Sequence, residues 1–312
     1  PQRQPNHNDK DMKRNKATML LALAAAASMA LACTGKAGSG AGKAGGKDST
    51  ATGMEAVYRT NVDSTMTLIA IKDNAEPKFM PNKLFYGKED SALVEALSPA
   101  GKVEASVSCF IIETQGKRAL FDTGNGTEKG GKLMERLAEA GIAPDSIDYL
   151  FITHFHNDHI GGMTTGGKAA FGRAEVYVPR QEYDYWVTNG DPDGPAATAM
   201  RAYEGRLHRF EHSQQLPLGI VPMAAPGHTP GHTAYQKGRL LIVGDLFHGL
   251  SLQLEDLRIC PDYDMDRRRA IETRLKFTNY ARANGLLTAG MHYPGNGTSD
   301  LIKYKKIVGT MY

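Results

Sequence analysis

Cysteine is scarce in this chain: among 312 residues only Cys33, Cys109 and Cys260 occur. Their spacing is too wide for a zinc finger or a Cys-x-x-Cys redox motif. Cys109 sits in an apolar strand pattern and reads as a small buried hydrophobe, and nothing in the sequence argues for a Cys109–Cys260 bridge. Long apolar runs are almost lacking. The one candidate, residues 19–32, is too short and too poorly flanked for a stable membrane span. A strong charge bias is lacking too. The net charge is +3, yet residues 1–32 hold five bases (Arg3, Lys10, Lys13, Arg14, Lys16) and two acids (Asp9, Asp11). Removing these from the totals of 37 bases and 34 acids leaves 32 of each sign, so the folded part has no cationic field to attract nucleic acid. No repeat at a solenoid period is present. What is there, 41% apolar and 23% charged residues, is the composition of a soluble globular protein long enough for one large domain or two small ones.

The N-terminal region reads as a leader, residues 1–33. Residues 1–11 are polar and patternless and are expected to be an artefact upstream of a start at Met12. Lys13-Arg14-Asn15-Lys16 is a basic n-region and residues 19–32 an apolar core, so residues 12–32 have the form of a signal peptide. Cys33 stands where a bacterial lipoprotein is cleaved and lipidated. Ala30 replaces the leucine usual in that signal, and Ala30-Leu31-Ala32 also reads as an Ala-x-Ala site for ordinary signal peptidase. Residues 34–56 are a flexible Gly-rich linker and residues 57–312 the folded domain. The expectation is an exported bacterial protein, periplasmic or anchored as a lipoprotein, touching the membrane only through Cys33.

Within the domain, strands are expected over residues 67–71, 147–152 and 174–178, and a hairpin from 105–112 and 118–121 across Gln115-Gly116-Lys117. Further strands fall around 219–223 and 240–243. Helices are expected over 91–97, 132–140, 197–210 and 267–284, the last ended by Gly285, with an irregular aromatic stretch over 183–194. Alternating strands and helices, with strands in the majority, argue for an α/β layered domain.

The densest chemistry lies at Thr153-His154-Phe155-His156-Asn157-Asp158-His159, directly after an apolar strand. Side chains alternate along extended backbone, so His154 and His156 project the same way. A helical turn after them would swing Asp158 and His159 out beside them, giving two ligands each to two neighbouring cations. Further ligand types follow. His228 and His232 lie four apart in Pro226-Gly227-His228-Thr229-Pro230-Gly231-His232, a sequence whose Gly and Pro residues forbid a regular helix. Asp245 ends the apolar run Leu240-Leu241-Ile242-Val243-Gly244, and His292 follows another short strand. Each alone reads equally well as a cap or a satisfied buried side chain; together they make the set of a two-metal site.

Over about residues 65–312 this pattern resembles the metallo-β-lactamase superfamily. The His-x-His-x-Asp-His match at 154–159 is complete, and Asp122-Thr123-Gly124, Gly227-His228-Thr229, Gly244-Asp245 and His292 match in the family's order. The resemblance implies a four-layer αββα sandwich with the metals at one edge of its two sheets. It assigns His154, His156 and His228 to one metal, Asp158, His159 and His292 to the other, and Asp245 to both. It makes Asp122 an orienting residue and His232 a pocket or supporting one. A β-lactamase of the common zinc classes has cysteine where Asp245 stands, and no counterpart of the basic helical region of glyoxalase II is evident. The run Gly244-Asp245-Leu246-Phe247-His248, Gln253, the helix entry from Asp262 to Arg274 and residues 290–297 are most similar to the methyl parathion hydrolase and lactonase branch.

Two cations about 3.5–4 Å apart bring the pKa of a bridging water from 15.7 to about 7, so hydroxide forms without a side-chain base. It would attack a carbonyl carbon or phosphorus of a small-molecule lactone, ester or organophosphate. Asp158 would relay a proton to the leaving group, and His248 would hydrogen-bond the substrate or oxyanion. Tyr183, Tyr185 and Trp186 read as pocket wall or as core. Zinc is the expected metal, with manganese, iron or cobalt also accepted by such ligands. The alternatives are a metal-binding envelope lipoprotein with an interaction or sensing role, a glyoxalase II-like thioesterase, and a β-lactamase-like amidase. No nucleic-acid partner is expected, and no motif specifies the natural substrate or the oligomeric state.

Overall fold

A computed structural model describes residues 55–87 and 91–301; the leader, most of the linker and the C-terminal end of the expected domain lie outside the described residues. Among the described residues, seven strands form one sheet in chain order: β1 (Val57–Asp63), β2 (Met66–Lys72), β3 (Ser108–Thr114), β4 (Lys117–Phe121), β5 (Tyr149–Phe151), β6 (Glu175–Pro179) and β7 (Leu207–Phe210). The first four strands meander antiparallel, and the last three add parallel to β4. A second sheet is formed by β8 (Val221–Ala224), β9 (Thr233–Lys237), β10 (Leu240–Gly244), β11 (Leu287–Gly290) and β12 (Thr298–Ser299), also in chain order, with β10 and β11 parallel. Helices of about one to five turns intervene, among them α1 (Ser91–Leu97), α2 (Leu133–Glu139), α3 (Asn157–Ile160), α4 (Arg180–Tyr183), α5 (Pro195–Arg201), α6 (Leu250–Glu255) and α7 (Arg267–Ala283).

The layering follows from strands apolar on both faces. In β2, Leu68 and Ala70 face the gap between the sheets, where they join Phe110, Phe121, Phe151, Tyr235 and Ile242. Ile69 and Ile71 face the other way, into a cluster completed by Leu133 and Leu137 of α2 and Ala199 and Met200 of α5. On the far side, Leu241 and Val243 of β10 pack on Phe277 and Ala281 of α7. The order helix, sheet, sheet, helix is the expected αββα sandwich. Cys109 is buried on β3, and both it and Cys260 are free thiols.

Two expectations are corrected. Residues 197–210 do not form one helix: α5 stops at Arg201, the chain turns through Gly205 at φ 88°, and residues 207–210 become β7. The exposed edge of β6 offers a ladder of backbone partners, and that pairing outweighs local helix preference. The stretch over 183–194 is not wholly irregular either, because α4 continues into a π-helical turn at Asp184–Thr188.

Candidate metal centre

The ends of β5 and β10 and the loops that follow β8 and β11 meet at one edge of the sandwich. His154 and His156 leave β5 on extended backbone (His156 φ −66°, ψ 154°), and α3 then brings Asp158 and His159 round beside them. Three ring nitrogens converge first. His156 Nδ1 lies 3.1 Å from His154 Nε2 and 2.9 Å from His228 Nε2. Next to them, Asp158 lies 3.7 Å from His159 Nε2 and 3.5 Å from His292 Nε2. Asp245 Oδ2 faces both groups, 3.4 Å from His228 Nε2, 3.2 Å from His159 Nε2 and 3.0 Å from His292 Nε2. The structure thus brings together all seven residues singled out in the sequence, and each of the triads His154/His156/His228 and Asp158/His159/His292 has donor atoms within 4.8 Å of one another.

The hydrogens on the outer ring nitrogens decide what the inner ones can do. The Thr153 hydroxyl donates to Asp122 Oδ2, so it must accept from His154 Nδ1 at 3.0 Å. His159 Nδ1 donates to Asp122 Oδ2 at 2.7 Å, His228 Nδ1 to Asp264 Oδ1 at 3.0 Å and His292 Nδ1 to the Ser106 carbonyl at 2.7 Å. With Nδ1 so engaged, the Nε2 of each of these four rings is left facing other ring nitrogens and carboxylates. Divalent cations between these atoms would satisfy the donors and take the place of ring protons, and outer partners of this kind are what fix a ligating imidazole's tautomer. His159 Nε2 and Asp245 Oδ1 are buried without a hydrogen-bond partner. Imidazole nitrogen with carboxylate oxygen is a donor set that zinc and similar divalent ions accept, so the residues fit the group that the sequence implies.

Electrostatics point the same way. Burial, reinforced by neighbouring imidazoles, holds His154 well below its ordinary value and His156 down to about 3, so both are neutral at pH 7. Burial also depresses His159, but Asp245, Asp122 and Asp158 more than reverse it and keep that ring well above its usual value. Burial opposes the charged form of Asp245 as well, yet His159, His292 and His248 hold it well below the carboxylate range. Asp158 and Asp245 thus stay ionised beside these rings, anionic donors of the kind that divalent cations accept.

Behind the donors stand residues that sequence reasoning found only in part. Asp122, on left-handed backbone at φ 58°, accepts from the Thr153 N–H as well as from His159, as its expected orienting role requires. His232 is fully buried away from the cleft. It donates from Nδ1 to the Ala225 carbonyl and accepts the Asp245 N–H at Nε2, so it props the backbone of Asp245. Asp264 was missed: it receives His228 and is itself held by Arg274, whose other donors reach the carbonyls of Leu246, Leu257 and Ile259. The helix entry from Asp262 to Arg274 is part of the resemblance, but nothing there gives Asp264 a role, and it lies 36 residues from its histidine.

A cleft of about 500 Å³ opens above the donors, with Lys78, Phe79, Met80, Leu84 and Tyr263 on the opposing wall. His248 lines it, with Nε2 3.1 Å from Asp245 Oδ2 and the ring stacked on His292 at 4.9 Å. Burial takes His248 down to about 4, so it is neutral at pH 7. Tyr183, Tyr185 and Trp186 do not line this cleft; Tyr183 and Trp186 pack on the core under the first sheet.

Fold and donor set together define a class, an αββα sandwich with a histidine–carboxylate metal centre at one sheet edge. The sequence pattern of the metallo-beta-lactamase superfamily matches residues 104–278; the chain belongs to that superfamily and is a metallo-hydrolase. Among curated proteins it is 25% identical over 200 residues to an N-acyl homoserine lactonase of Bacillus thuringiensis, covering 50% of this chain and 70% of the relative. It is 29% identical over 140 residues to a hydroxyacylglutathione hydrolase of Aeromonas salmonicida, covering 40% of this chain and 46% of the relative. Two solved structures share the fold. AidC, a dizinc quorum-quenching lactonase in complex with a product, has a TM-score of 0.72 at 22% identity over 82% of this chain and 96% of its own. AbOPH, a hydrolase in the beta lactamase superfamily, has a TM-score of 0.71 at 24% identity over 78% of this chain and 92% of its own.

Proposed function

We propose that the chain is a dinuclear metal-dependent hydrolase of a small-molecule lactone, ester or organophosphate, with lactones first because curated relatives are lactonases. The observation that carries the proposal is the set of inward-facing Nε2 atoms on His154, His159, His228 and His292, each ring oriented by a named partner of its outer nitrogen. In this reading His154, His156 and His228 hold one cation, Asp158, His159 and His292 the other, and Asp245 joins them. Divalent cations there supply Lewis acidity and bring the pKa of water to about 7. Asp158, half-buried at the cleft, is placed to pass a proton to a leaving group. His248 contributes a hydrogen-bonding ring nitrogen on the same wall, and Phe79, Met80, Leu84 and Tyr263 cover the apolar part of the substrate. The leader and Cys33 support placement in the cell envelope, which the intact mass of the mature N-terminus tests.

The direct test is a hydrolysis screen on zinc- and manganese-loaded protein. It covers acyl-homoserine and simple lactones, aryl esters, a phosphotriester and a β-lactam. Turnover of a lactone or ester with little on the β-lactam is expected. Turnover of none of them overturns the proposal.

A further inference from the structure

Glu182 is a carboxylate with no solvent exposure, and it belongs to neither metal triad. Its Oε1 accepts the Phe155 N–H at 3.0 Å and the indole N–H of Trp186 at 2.7 Å. Its Oε2 accepts the Thr229 hydroxyl at 2.9 Å and the Gly231 N–H at 2.8 Å. Phe155 lies between His154 and His156 in the chain, and Thr229 follows His228. One buried side chain therefore ties the two loops that carry the three converging nitrogens. Trp186, the only tryptophan of the chain, shares this carboxylate and stands edge-on to His156 with ring centroids 5.7 Å apart.

We propose that Glu182 is the positioning residue that sets the spacing between the His154/His156 loop and the His228 loop, and that Trp186 reports occupancy of that triad. The inference rests on the dinuclear reading above. Four donors on one buried carboxylate are charge-assisted bonds and stiffen both loops at once. Glutamine cannot replace it. Its single carbonyl oxygen serves one pair of donors, while its NH2 faces the other pair and leaves them unpaired. The Asp158/His159/His292 triad is oriented through other partners, Asp122 and the Ser106 carbonyl, so the loss falls on one triad only.

The experiment titrates metal-free wild type, Glu182→Gln, Thr229→Val and Asp122→Asn with zinc alone. Trp186 emission is followed, and bound zinc is counted after gel filtration. Wild type should take up two zinc ions, one of them in a step that changes the emission. Glu182→Gln should weaken that step by about 10–100-fold, the usual effect of losing a ligand's supporting partner, and leave the emission-silent step unchanged. Thr229→Val removes a single donor and should act in the same direction by a smaller factor. Asp122→Asn should weaken both steps, because Asp122 holds His159 directly and His154 through the Thr153 hydroxyl. If Glu182→Gln does not fold, Thr229→Val carries the comparison. In these two variants, two unchanged steps, or two steps weakened equally, overturn the assignment of Glu182 while wild type still binds two ions. A wild-type protein that takes up no zinc overturns the metal reading and this assignment with it.

Discussion

Asp245 shows how much a single side chain carries: its Oδ2 lies within 3.8 Å of a ring nitrogen on each of His154, His159, His228, His248 and His292. Lys72 is the opposite case, a buried ammonium with no hydrogen-bond partner and no part in the site. Burial lowers its pKa, against the pull of Glu104. Between that lowered value and the unfolded value of about 10.4, the unfolded chain binds more protons than the folded one, so stability rises with pH across this window. Lys72→Met should remove that rise and add about 1–3 kcal/mol at pH 7, the cost of an unsatisfied buried donor. Urea unfolding at pH 7 and pH 10 reads both effects, and a variant less stable at pH 7 contradicts the assignment. The donors themselves were legible in the sequence because they sit in compact patterns beside glycines. Asp264, Ser106 and Glu182 were not, because each acts by one or more hydrogen bonds on a segment distant in the chain.

The elements that position the site are short and depend on backbone geometry at their ends. Gly244 closes β10 at φ 55°, and a Cβ there would collide with His232 Nε2, the atom that accepts the Asp245 N–H. Gly244→Ala should cost at least about 1–2 kcal/mol for the left-handed backbone alone, and it should lower turnover because His232 and Asp245 shift together. Denaturation midpoint and kcat report the two effects; a variant with wild-type values of both would show that the turn tolerates a side chain. Strands such as β2 and β10 were readable from their apolar runs, and α7 from its periodicity and from Gly285 past its end. β7 was not, because residues 207–210 become a strand only through pairing with β6. α6 was missed as well: its six residues are too few for a helical period to stand out, and it is held by packing on the second-sheet core and under the Lys78–Pro81 ribbon.

At the scale of the whole molecule, the αββα layering places every donor at one sheet edge, although the first and last, His154 and His292, lie 138 positions apart in the chain. The layer order came from the motif resemblance, since alternating strands and helices alone argue only for an α/β domain. The cleft wall was illegible. It is contributed by the Lys78–Pro81 ribbon, the turn that follows it and the loop around Tyr263, which carry no motif. The central claim is that two cations held by these seven residues make the catalyst. Its most direct test is metal content and turnover followed together through exhaustive chelation and stepwise zinc return, on wild type with His156→Ala and Asp245→Ala as controls. The account predicts that chelation abolishes hydrolysis, that full activity returns at two equivalents of zinc, and that both variants lose metal and activity together. Hydrolysis that survives in metal-free wild type would contradict it.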